Sequence, residues 1–382
     1  GSQGVSLTGS TLFNPRLRRS SRCLGQGAVK LTPQPRGALA DLRLTKWAGD
    51  FAASADVCHG AEPRENNPFI IVRVEAVGLN FRDVLNVLGM YPGDPGALGS
   101  DYAGVVLGGA NHFGRSVFTP GTEVFGLAPG CLGTRVVASA LTAVEKPPSV
   151  GFADAAGCPT IFVTVDLALL EASPQDGVAP KSVLVHSATG GVGLAACQIL
   201  AARRIKTIVT AGSTKKRALL RSSGLQNIAD SRSTAFVETL LASHGGPVDL
   251  IINSLTSSGM VSASLSSLRK RGGFAEISKR GIWSVPAAMA DHPSVNYKLV
   301  ATDFLNLHEL NMFLGHLAAR LNDGTLKPIY SQQSGLVAVR ECMREMSGGH
   351  HIGKIIVCAP SEPPTNDINA AVIITGGTGA IG

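Results

Sequence analysis

The sequence predicts an α/β protein that combines a doubly wound parallel sheet with a second, smaller β-barrel domain. Between residues 158 and 303, apolar strand-like runs alternate with helical stretches, the pattern of a parallel sheet covered on both faces. Between residues 28 and 157, short β-type runs are separated by Gly and Pro clusters, which is typical of a small barrel. A length of 382 residues exceeds one core of ordinary size, so two packed domains are expected.

Residue types and the periodicity of apolar residues predict the individual strands and helices. In the first half, the predicted strands are Ile70–Val77, Ala103–Leu107, Glu123–Leu127 and Thr134–Ala138. In the second half, the predicted strands are Ser182–His186, Thr207–Thr210, Asp249–Asn253 and Gly273–Ile277, and the predicted helices are one from Gly191, Thr214–Ser223 and Gly259–Leu268. A helical segment, His308–Leu321, and a β-like run at 353–357 are expected to return to the first domain.

Composition and charge exclude several classes of protein. Apolar residues make up 44% and charged residues 16% of the chain, which suits a large buried core. The net charge of +7 is concentrated in four arginines near the start of the chain, so we expect no nucleic-acid binding. No apolar run reaches the length of a membrane helix, and no signal-peptide pattern is present. The seven cysteines lack metal-ligand spacing. A cytoplasmic protein with no membrane association and no metal is therefore expected.

The strongest chemical signal is the segment KSVLVHSATGGVGLAACQIL at 181–200. An apolar strand runs into a loop in which Ala188, Gly190 and Gly193 occupy the three fingerprint positions of a dinucleotide site, and a helix follows. Glycines let the backbone approach a pyrophosphate, and the free amides and positive dipole end of a helix N-terminus bind the phosphates. The sequence therefore predicts that residues Ala188, Thr189, Gly190, Gly191, Val192 and Gly193 bind a dinucleotide. A merely tight strand-to-helix turn is the alternative.

The second strand of this unit indicates which dinucleotide is bound. An NAD site would place Asp or Glu about 20 residues after the loop, to accept hydrogen bonds from the ribose. Here the segment TAGSTKKRALL at 210–220 has none. Instead, the small side chain of Ser213 leaves room for a 2′-phosphate, and Lys216 and Arg217 bring positive charge to the place where that phosphate would lie. We therefore predict that the cofactor is NADPH. A solvated basic first turn of a helix is the alternative.

Four segments together resemble a known family. They are LNFRDVLNVLGMYPG (79–93), HSATGGVGLAACQ (186–198), DLIINSL (249–255) and GGFAEISKRGI (272–282). They are similar to the enoyl reductase domain of modular (type I) polyketide synthases, in the zinc-free branch of the medium-chain dehydrogenase/reductase superfamily. The resemblance covers roughly residues 27–358. The terminal ITGGTGAIG resembles the start of the ketoreductase domain that follows in such synthases.

The resemblance implies a division of the chain. Residues 1–26 are expected to be a flexible lead-in. Residues 27–157 and 304–358 would form a GroES-like catalytic and substrate domain, and residues 158–303 a Rossmann-type NADPH-binding domain. Residues 359–382 would be a linker with the first strand and glycine loop of a ketoreductase domain, which would make the chain a piece of a longer polypeptide.

The resemblance also implies an activity and its partners. The expected reaction is NADPH-dependent reduction of a 2-enoyl thioester, carried on an acyl carrier protein, to the saturated acyl thioester. Neighbouring ketoreductase and other synthase domains are the expected partners. A free-standing quinone reductase of the same superfamily and an inactive structural remnant are the alternatives. Zinc-using relatives carry a GHE motif where this chain has Gly99-Ser100-Asp101, so protein donors would have to replace the metal.

Three residues match the acids proposed for the family: Tyr91 in GMYPG, Lys279 in EISKRG and Asp303 in NYKLVATDF. Taken singly, they could be a turn tyrosine, a solvated lysine and a helix N-cap. For Asp303 we favour orienting or charge-pairing Lys279 over proton donation. In related reductases a tyrosine at this turn accompanies the S configuration at an α-methyl centre, so S is implied here.

The resemblance assigns three further residues to the cofactor site. They are Asn80, which could equally be a turn asparagine, and Asn253 and Ser254 of DLIINSL. Lys354 of HIGK resembles a family motif and could equally end a solvated strand.

Overall fold

The computed structural model describes residues 28–47, 68–110 and 118–359, together with two short paired strands near the start of the chain. The predictions for the rest of the lead-in and for the tail from residue 360 lie outside the described residues. The strands, in chain order, are β1 (Val5–Ser6), β2 (Leu12–Phe13), β3 (Val29–Pro33), β4 (Leu42–Lys46), β5 (Phe69–Gly78), β6 (Asp101–Ala110), β7 (Glu123–Leu127), β8 (Arg135–Ser139), β9 (Ala143–Glu145), β10 (Ser182–Val185), β11 (Lys206–Thr210), β12 (Ile228–Ala229), β13 (Val248–Asn253), β14 (Leu268–Glu276), β15 (Asn296–Leu299), β16 (Ser331–Gly335) and β17 (Lys354–Cys358).

The α-helices are α1 (Phe81–Val87), α2 (Phe152–Ala156), α3 (Pro159–Glu171), α4 (Gly191–Ala202), α5 (Thr214–Ser222), α6 (Phe236–His244), α7 (Met260–Ser266), α8 (Val285–Asp291), α9 (Leu307–Asn322) and α10 (Val339–Ser347). Among the described residues, no helix has the length and apolar character needed to cross a membrane.

Six strands form a parallel sheet in the order β12-β11-β10-β13-β14-β15. The chain leaves β10 toward one edge through β11 and then returns to β13 on the other side, so the strand order reverses beside β10. All four residues of β10 are buried, as expected for a strand covered by helices on both faces. The predicted doubly wound, Rossmann-type sheet is confirmed.

Seven strands form a second, mostly antiparallel sheet, in the order β16-β17-β5-β6-β7-β9, with β8 also paired to β5. Strand β5 is central to it, because one edge pairs with β6 while the other is shared between β8 and β17. Strands β3 and β4 form a separate antiparallel pair. The fold class predicted for this half is confirmed. Helix α1 and strands β15 and β16 lie in segments for which the sequence predicted no element. The run at 353–357 pairs with β5, as expected.

Two apolar clusters flank the region where the sheets meet. The larger one joins α3, α4 and α9 to one face of the parallel sheet and includes Phe125 and Leu127 of β7. The other fills the antiparallel sheet and includes Met343 of α10. Helix α9 thus packs in the larger cluster and contacts both α3 and strand β9 of the antiparallel sheet. Strand β17 contributes to both clusters, and α10 packs with the antiparallel sheet. A cleft opens between the sheets, at the carboxyl ends of the parallel strands.

Candidate active site

The cleft encloses about 560 Å³ and takes its walls from both sheets. One wall comes from residues that follow the ends of β14 and β15, namely Ser278, Lys279, Ala301 and Asp303. The other comes from α1 and the loop after it, including Tyr91. In open α/β sheets, ligands bind beyond the carboxyl ends of the strands where the strand order reverses. The cleft lies at this carboxyl edge, beyond β14 and β15, and the reversal of strand order lies on the same edge beside β10.

Three of the residues singled out from the sequence meet in this cleft. The Tyr91 hydroxyl donates a hydrogen bond of 2.7 Å to Asp303 Oδ2. The Lys279 Nζ approaches the same oxygen at 3.3 Å. Asp303 lies in a short 3₁₀ helix, Thr302–Phe304, and the N-cap of the following helix α9 is Asn306. The alternative that Asp303 is an N-cap is therefore wrong, and its side chain faces the cleft.

The charges in the cleft separate the roles of Tyr91 and Asp303. Burial raises the pKa of Tyr91 to about 12, with help from the hydrogen bond and the charge of Asp303, so the phenol keeps its proton at neutral pH. Burial alone would raise the pKa of Asp303, but the charges of Arg82 and Lys279 and the bond from Tyr91 lower it below its ordinary value. Asp303 is thus ionised at neutral pH and acts as an acceptor.

Two further residues of the cleft were missed in the sequence. Arg82 Nη1 lies 2.6 Å from Asp303 Oδ1, and the sequence predicted no role for Arg82. Glu276 lines the cleft and is 1% exposed. Its carboxylate accepts bonds from Asn253 Nδ2 at 2.6 Å and from the Ser278 amide at 2.9 Å. Burial raises the pKa of Glu276. The local signal for Glu276 was a charged residue within an otherwise apolar predicted strand, Gly273–Ile277.

The glycine loop has the backbone geometry that a dinucleotide requires. A β-carbon on Gly193 would lie 2.4 Å from the Ala188 Cα, so only glycine lets helix α4 pack this close to the strand. Gly190 is the N-cap of α4, and a side chain on it would meet only the Ser187 carbonyl oxygen, at 3.4 Å. The amides of Gly191, Val192 and Gly193 lie in the first turn and have no acceptor within the helix. This open helix terminus fits a pyrophosphate.

The three predicted 2′-phosphate residues differ in their surroundings. Ser213 caps helix α5 by accepting a bond from the Lys216 amide at 3.2 Å. Lys216 Nζ donates to the Gly349 carbonyl at 2.7 Å, and its pKa is lowered by burial and by the neighbouring charge of Arg232. Arg217 pairs with Asp230 at 3.1 Å and donates to the Ala211 carbonyl at 3.0 Å.

Arg232 was not singled out in the sequence. Its Nε would lie 3.1 Å from a β-carbon on Gly212, in the loop where a ribose phosphate is expected. Arg232 thus lies beside this loop, its charge lowers the pKa of Lys216, and neither Lys216 nor Arg232 forms an ion pair with a described residue. No local pattern marks Arg232, because it follows a different strand.

The remaining cofactor candidates are bonded within the protein. The Asn253 amide nitrogen donates to Glu276 and to the Leu255 carbonyl, and Ser254 Oγ approaches the His186 carbonyl at 3.5 Å. The Asn80 amide accepts from Lys354 Nζ at 2.8 Å and donates to Asp101 Oδ2 at 3.1 Å. Their assignment to the cofactor site stays a prediction.

Lys354 is a buried residue. It is 3% exposed, and its ammonium group lies 2.9 Å from the Asp101 carboxylate, whose side chain is fully buried. The alternative of a solvated strand end is wrong. The residue before it, Gly353, donates a backbone bond of 2.8 Å to the Thr189 carbonyl. The ion pair thus lies directly beneath the dinucleotide loop.

Across residues 28–47, 68–110 and 118–359, no three His, Cys, Asp or Glu side chains form a group that could hold a metal ion. The prediction that the reaction needs no zinc remains a prediction.

Residues 223–357 match a family model described as zinc-binding dehydrogenase. The chain is 36% identical, over 81% of its length, to the pikromycin polyketide synthase component PikAII of Streptomyces venezuelae. It is also 36% identical, over 93% of its length, to the polyketide synthase GfsB of Streptomyces halstedii. It spans only 8% and 6% of these relatives.

Solved structures of similar fold include enoyl reductases and a quinone oxidoreductase. The CurF enoyl reductase cyclopropanase of curacin A biosynthesis aligns with a TM-score of 0.76 at 27% identity, over 87% of this chain and 99% of that one. The CurK enoyl reductase aligns with a TM-score of 0.72 at 28% identity, with the same coverage. The Escherichia coli quinone oxidoreductase complexed with NADPH shares the fold, with a TM-score of 0.71 at 23% identity.

The parallel sheet with its glycine loop, the antiparallel sheet and the cleft, together with the family match and the solved structures, assign the chain to the medium-chain dehydrogenase/reductases. Within that superfamily, the chain belongs to the enoyl reductase domains of modular polyketide synthases.

Proposed function

We propose that this chain uses NADPH to reduce a 2-enoyl thioester, carried on an acyl carrier protein, to the saturated thioester during polyketide assembly. The observation that carries the proposal is the convergence of Tyr91 and Lys279 on the ionised Asp303 in one cleft, at the carboxyl ends of strands of the sheet that carries the glycine loop. A family whose members are multidomain synthases supports neighbouring domains, a ketoreductase among them, as further partners.

The reaction places demands on the protein that this cleft can meet. Adding hydride to the β-carbon builds negative charge on the thioester oxygen, so the site needs hydrogen-bond donors there and an acid beside the α-carbon. The pKa of Tyr91 is raised to about 12, so its phenol keeps its proton until such charge develops. Lys279 Nζ is the second donor in the cleft. Asp303 cannot donate while ionised, and instead it orients both donors.

Residues from both halves of the chain would hold the cofactor, which supplies the hydride. The amides of 191–193 would bind the pyrophosphate, and Lys216 and Arg232 would bind the 2′-phosphate. Arg217 contributes by fixing the Ala211 carbonyl at the base of the loop. Asn80, Asn253 and Ser254 complete the proposed site. This arrangement supports the proposed division into a domain at 158–303 that binds NADPH and a catalytic domain at 27–157 and 304–358.

Oxidation of NADPH tests the proposal when three reactions are run in parallel. They contain a crotonyl thioester on an acyl carrier protein, a quinone, or neither. We expect oxidation with the thioester and formation of one saturated product per NADPH consumed. Oxidation with the quinone alone would assign the chain to the quinone reductases of this fold, and no oxidation in any reaction would indicate a structural remnant.

A further inference from the structure

We infer that Arg82 is a positioning residue that holds Asp303 and Tyr91 in the arrangement the reaction requires. This inference rests on the proposed function, because it assigns Asp303 and Tyr91 to the same site. Arg82 lies in the first turn of α1, within the segment LNFRDV. It is one of the residues that line the cleft.

Arg82 contacts three parts of the site with one planar group. Nη1 binds Asp303 Oδ1 at 2.6 Å, and Nη2 donates to the Pro95 carbonyl at 3.1 Å, in the loop that carries Tyr91. The guanidinium carbon also lies 5.0 Å from the centre of the Tyr91 ring, within cation–π distance. The guanidinium therefore ties the ring, its loop and its hydrogen-bond acceptor together.

The two carboxylate oxygens of Asp303 accept hydrogen bonds from different donors. Arg82 occupies Oδ1, so Oδ2 is left to accept the bonds from Tyr91 and Lys279. Without Arg82, the carboxylate could rotate and either donor could lose its partner. A displacement of about 1 Å in a catalytic group is enough to lower a rate roughly 10²-fold.

Arg82 also sets the charge of the cluster. Asp303 faces Arg82 from α1, Tyr91 from the loop after α1 and Lys279 from the loop after β14, and two more carboxyl groups, Asp94 and Glu276, line the same cleft. Of these groups, Arg82 and Lys279 are the cations whose charges lower the pKa of Asp303, so Arg82 helps to keep Asp303 ionised.

Arg269 offers a matched control at a distance from the cleft. Its side chain is 26% exposed, against 28% for Arg82, and it also binds carboxylates, those of Asp176 and Asp249. Arg269→Gln removes an ion pair of similar burial without touching the cleft. If Arg82 were merely structural, Arg82→Gln and Arg269→Gln would behave alike.

The first measurement does not depend on activity. The chain has four tyrosines, so protein labelled with 3-fluorotyrosine gives few fluorine NMR signals, and the Tyr91→Phe variant assigns that of Tyr91. Because Tyr91 donates to Asp303, its signal reports the protonation of Asp303 during an acid titration. We expect Arg82→Gln to move this titration to higher pH, and Arg82→Lys and Arg269→Gln to leave it nearly unchanged. A titration that Arg82→Gln does not move would overturn the inference.

The second measurement is turnover of the enoyl thioester. We expect Arg82→Gln to lower kcat by roughly 10²-fold with little change in the KM for NADPH, and to move the acid limb of the pH profile upward. Arg82→Lys keeps the positive charge but lacks the second guanidinium nitrogen, which reaches the Pro95 carbonyl. Its kcat should therefore lie between those of Arg82→Gln and the wild type. Full activity in Arg82→Gln would refute the positioning role. If the wild type turned over no thioester, the proposed function would fail, while the NMR titration would still decide whether Arg82 holds Asp303.

Discussion

Tyr91 and Asp303 are 212 residues apart in the chain and are joined by a hydrogen bond of 2.7 Å across the cleft. Lys279 approaches the same carboxylate oxygen, at 3.3 Å. Both weak acids therefore depend on one acceptor for their orientation. Substitutions at Tyr91 and Lys279 should be non-additive for this reason, because removing either donor frees the shared oxygen for the other.

Replacing Tyr91 by Phe should alter the configuration of the product more than the rate. Phe keeps the ring that Arg82 contacts and loses only the hydroxyl, while Lys279 or water can still protonate the α-carbon. On a substrate with an α-methyl branch, we expect the wild type to give the S product and the variant to lose that fidelity. NADPH affinity should not change. Chiral analysis of the product tests this prediction. The control is Tyr330→Phe, because the Tyr330 side chain is 67% exposed. An S product of undiminished purity from the Tyr91 variant would contradict the prediction.

Replacing Lys279 by Met should lower turnover by roughly 10²-fold or more if Lys279 is the main acid, the usual scale for general acid catalysis. The Met side chain keeps most of the length and apolar contacts of lysine but cannot donate a proton. Steady-state rates with the enoyl thioester measure the effect. Lys298→Met, at an exposed position on the neighbouring strand β15, is the control and should retain full activity. A Lys279 variant as fast as the wild type would rule out this role.

Lys216→Ala should weaken NADPH binding by about 1.5 to 3 kcal/mol, the value of a charge-assisted hydrogen bond, and should barely affect NADH. Arg232→Ala should act in the same direction, because its charge lies beside Lys216. Calorimetric dissociation constants for the two cofactors test this, and the exposed neighbour Lys215→Ala provides the control. The wild type is expected to prefer NADPH. Equal affinity of the wild type for both cofactors would be incompatible with the assignment.

The purified protein should contain no stoichiometric zinc, and a chelator should leave its activity intact. The physical reason lies in the sequence, where the cysteines are dispersed and Gly99-Ser100-Asp101 provides no histidine. Elemental analysis and a chelator titration measure both properties. Activity that is lost to the chelator and restored by zinc would refute the prediction.

Lys354→Met should destabilise the fold by about 3 to 5 kcal/mol, because it leaves the fully buried Asp101 carboxylate without its cation. The double variant with Asp101→Asn should lose less stability than the sum of the losses in the two single variants, since Asp101→Asn removes the unpaired carboxylate. Urea unfolding gives the free energies. Removing the exposed pair of Arg344 and Glu341 by Arg344→Ala should change stability by less than about 1 kcal/mol. Strict additivity of the Lys354 and Asp101 variants would show that the pair is not coupled.

The sequence alone predicted those features that depend on neighbours along the chain. The strand, the glycine loop and the helix at 182–202 form one local unit, so residue type and period sufficed to predict it. The alternation of strands and helices likewise predicted the parallel sheet. The missing acidic residue after the second strand indicated NADPH for the same reason, because the ribose site is built from adjacent segments.

The contacts between distant segments were decided only by the tertiary structure. Arg82 and Arg232 carry no local pattern, and each acquires its place from packing against residues of another element. Lys354 was compatible with a solvated strand end until its partner Asp101 was located in the core. Asp303 was compatible with an N-cap until Asn306 was found to cap α9. A side chain's charge state and orientation depend on burial and on the nearest opposite charge, and in this protein both come from segments far apart in the chain.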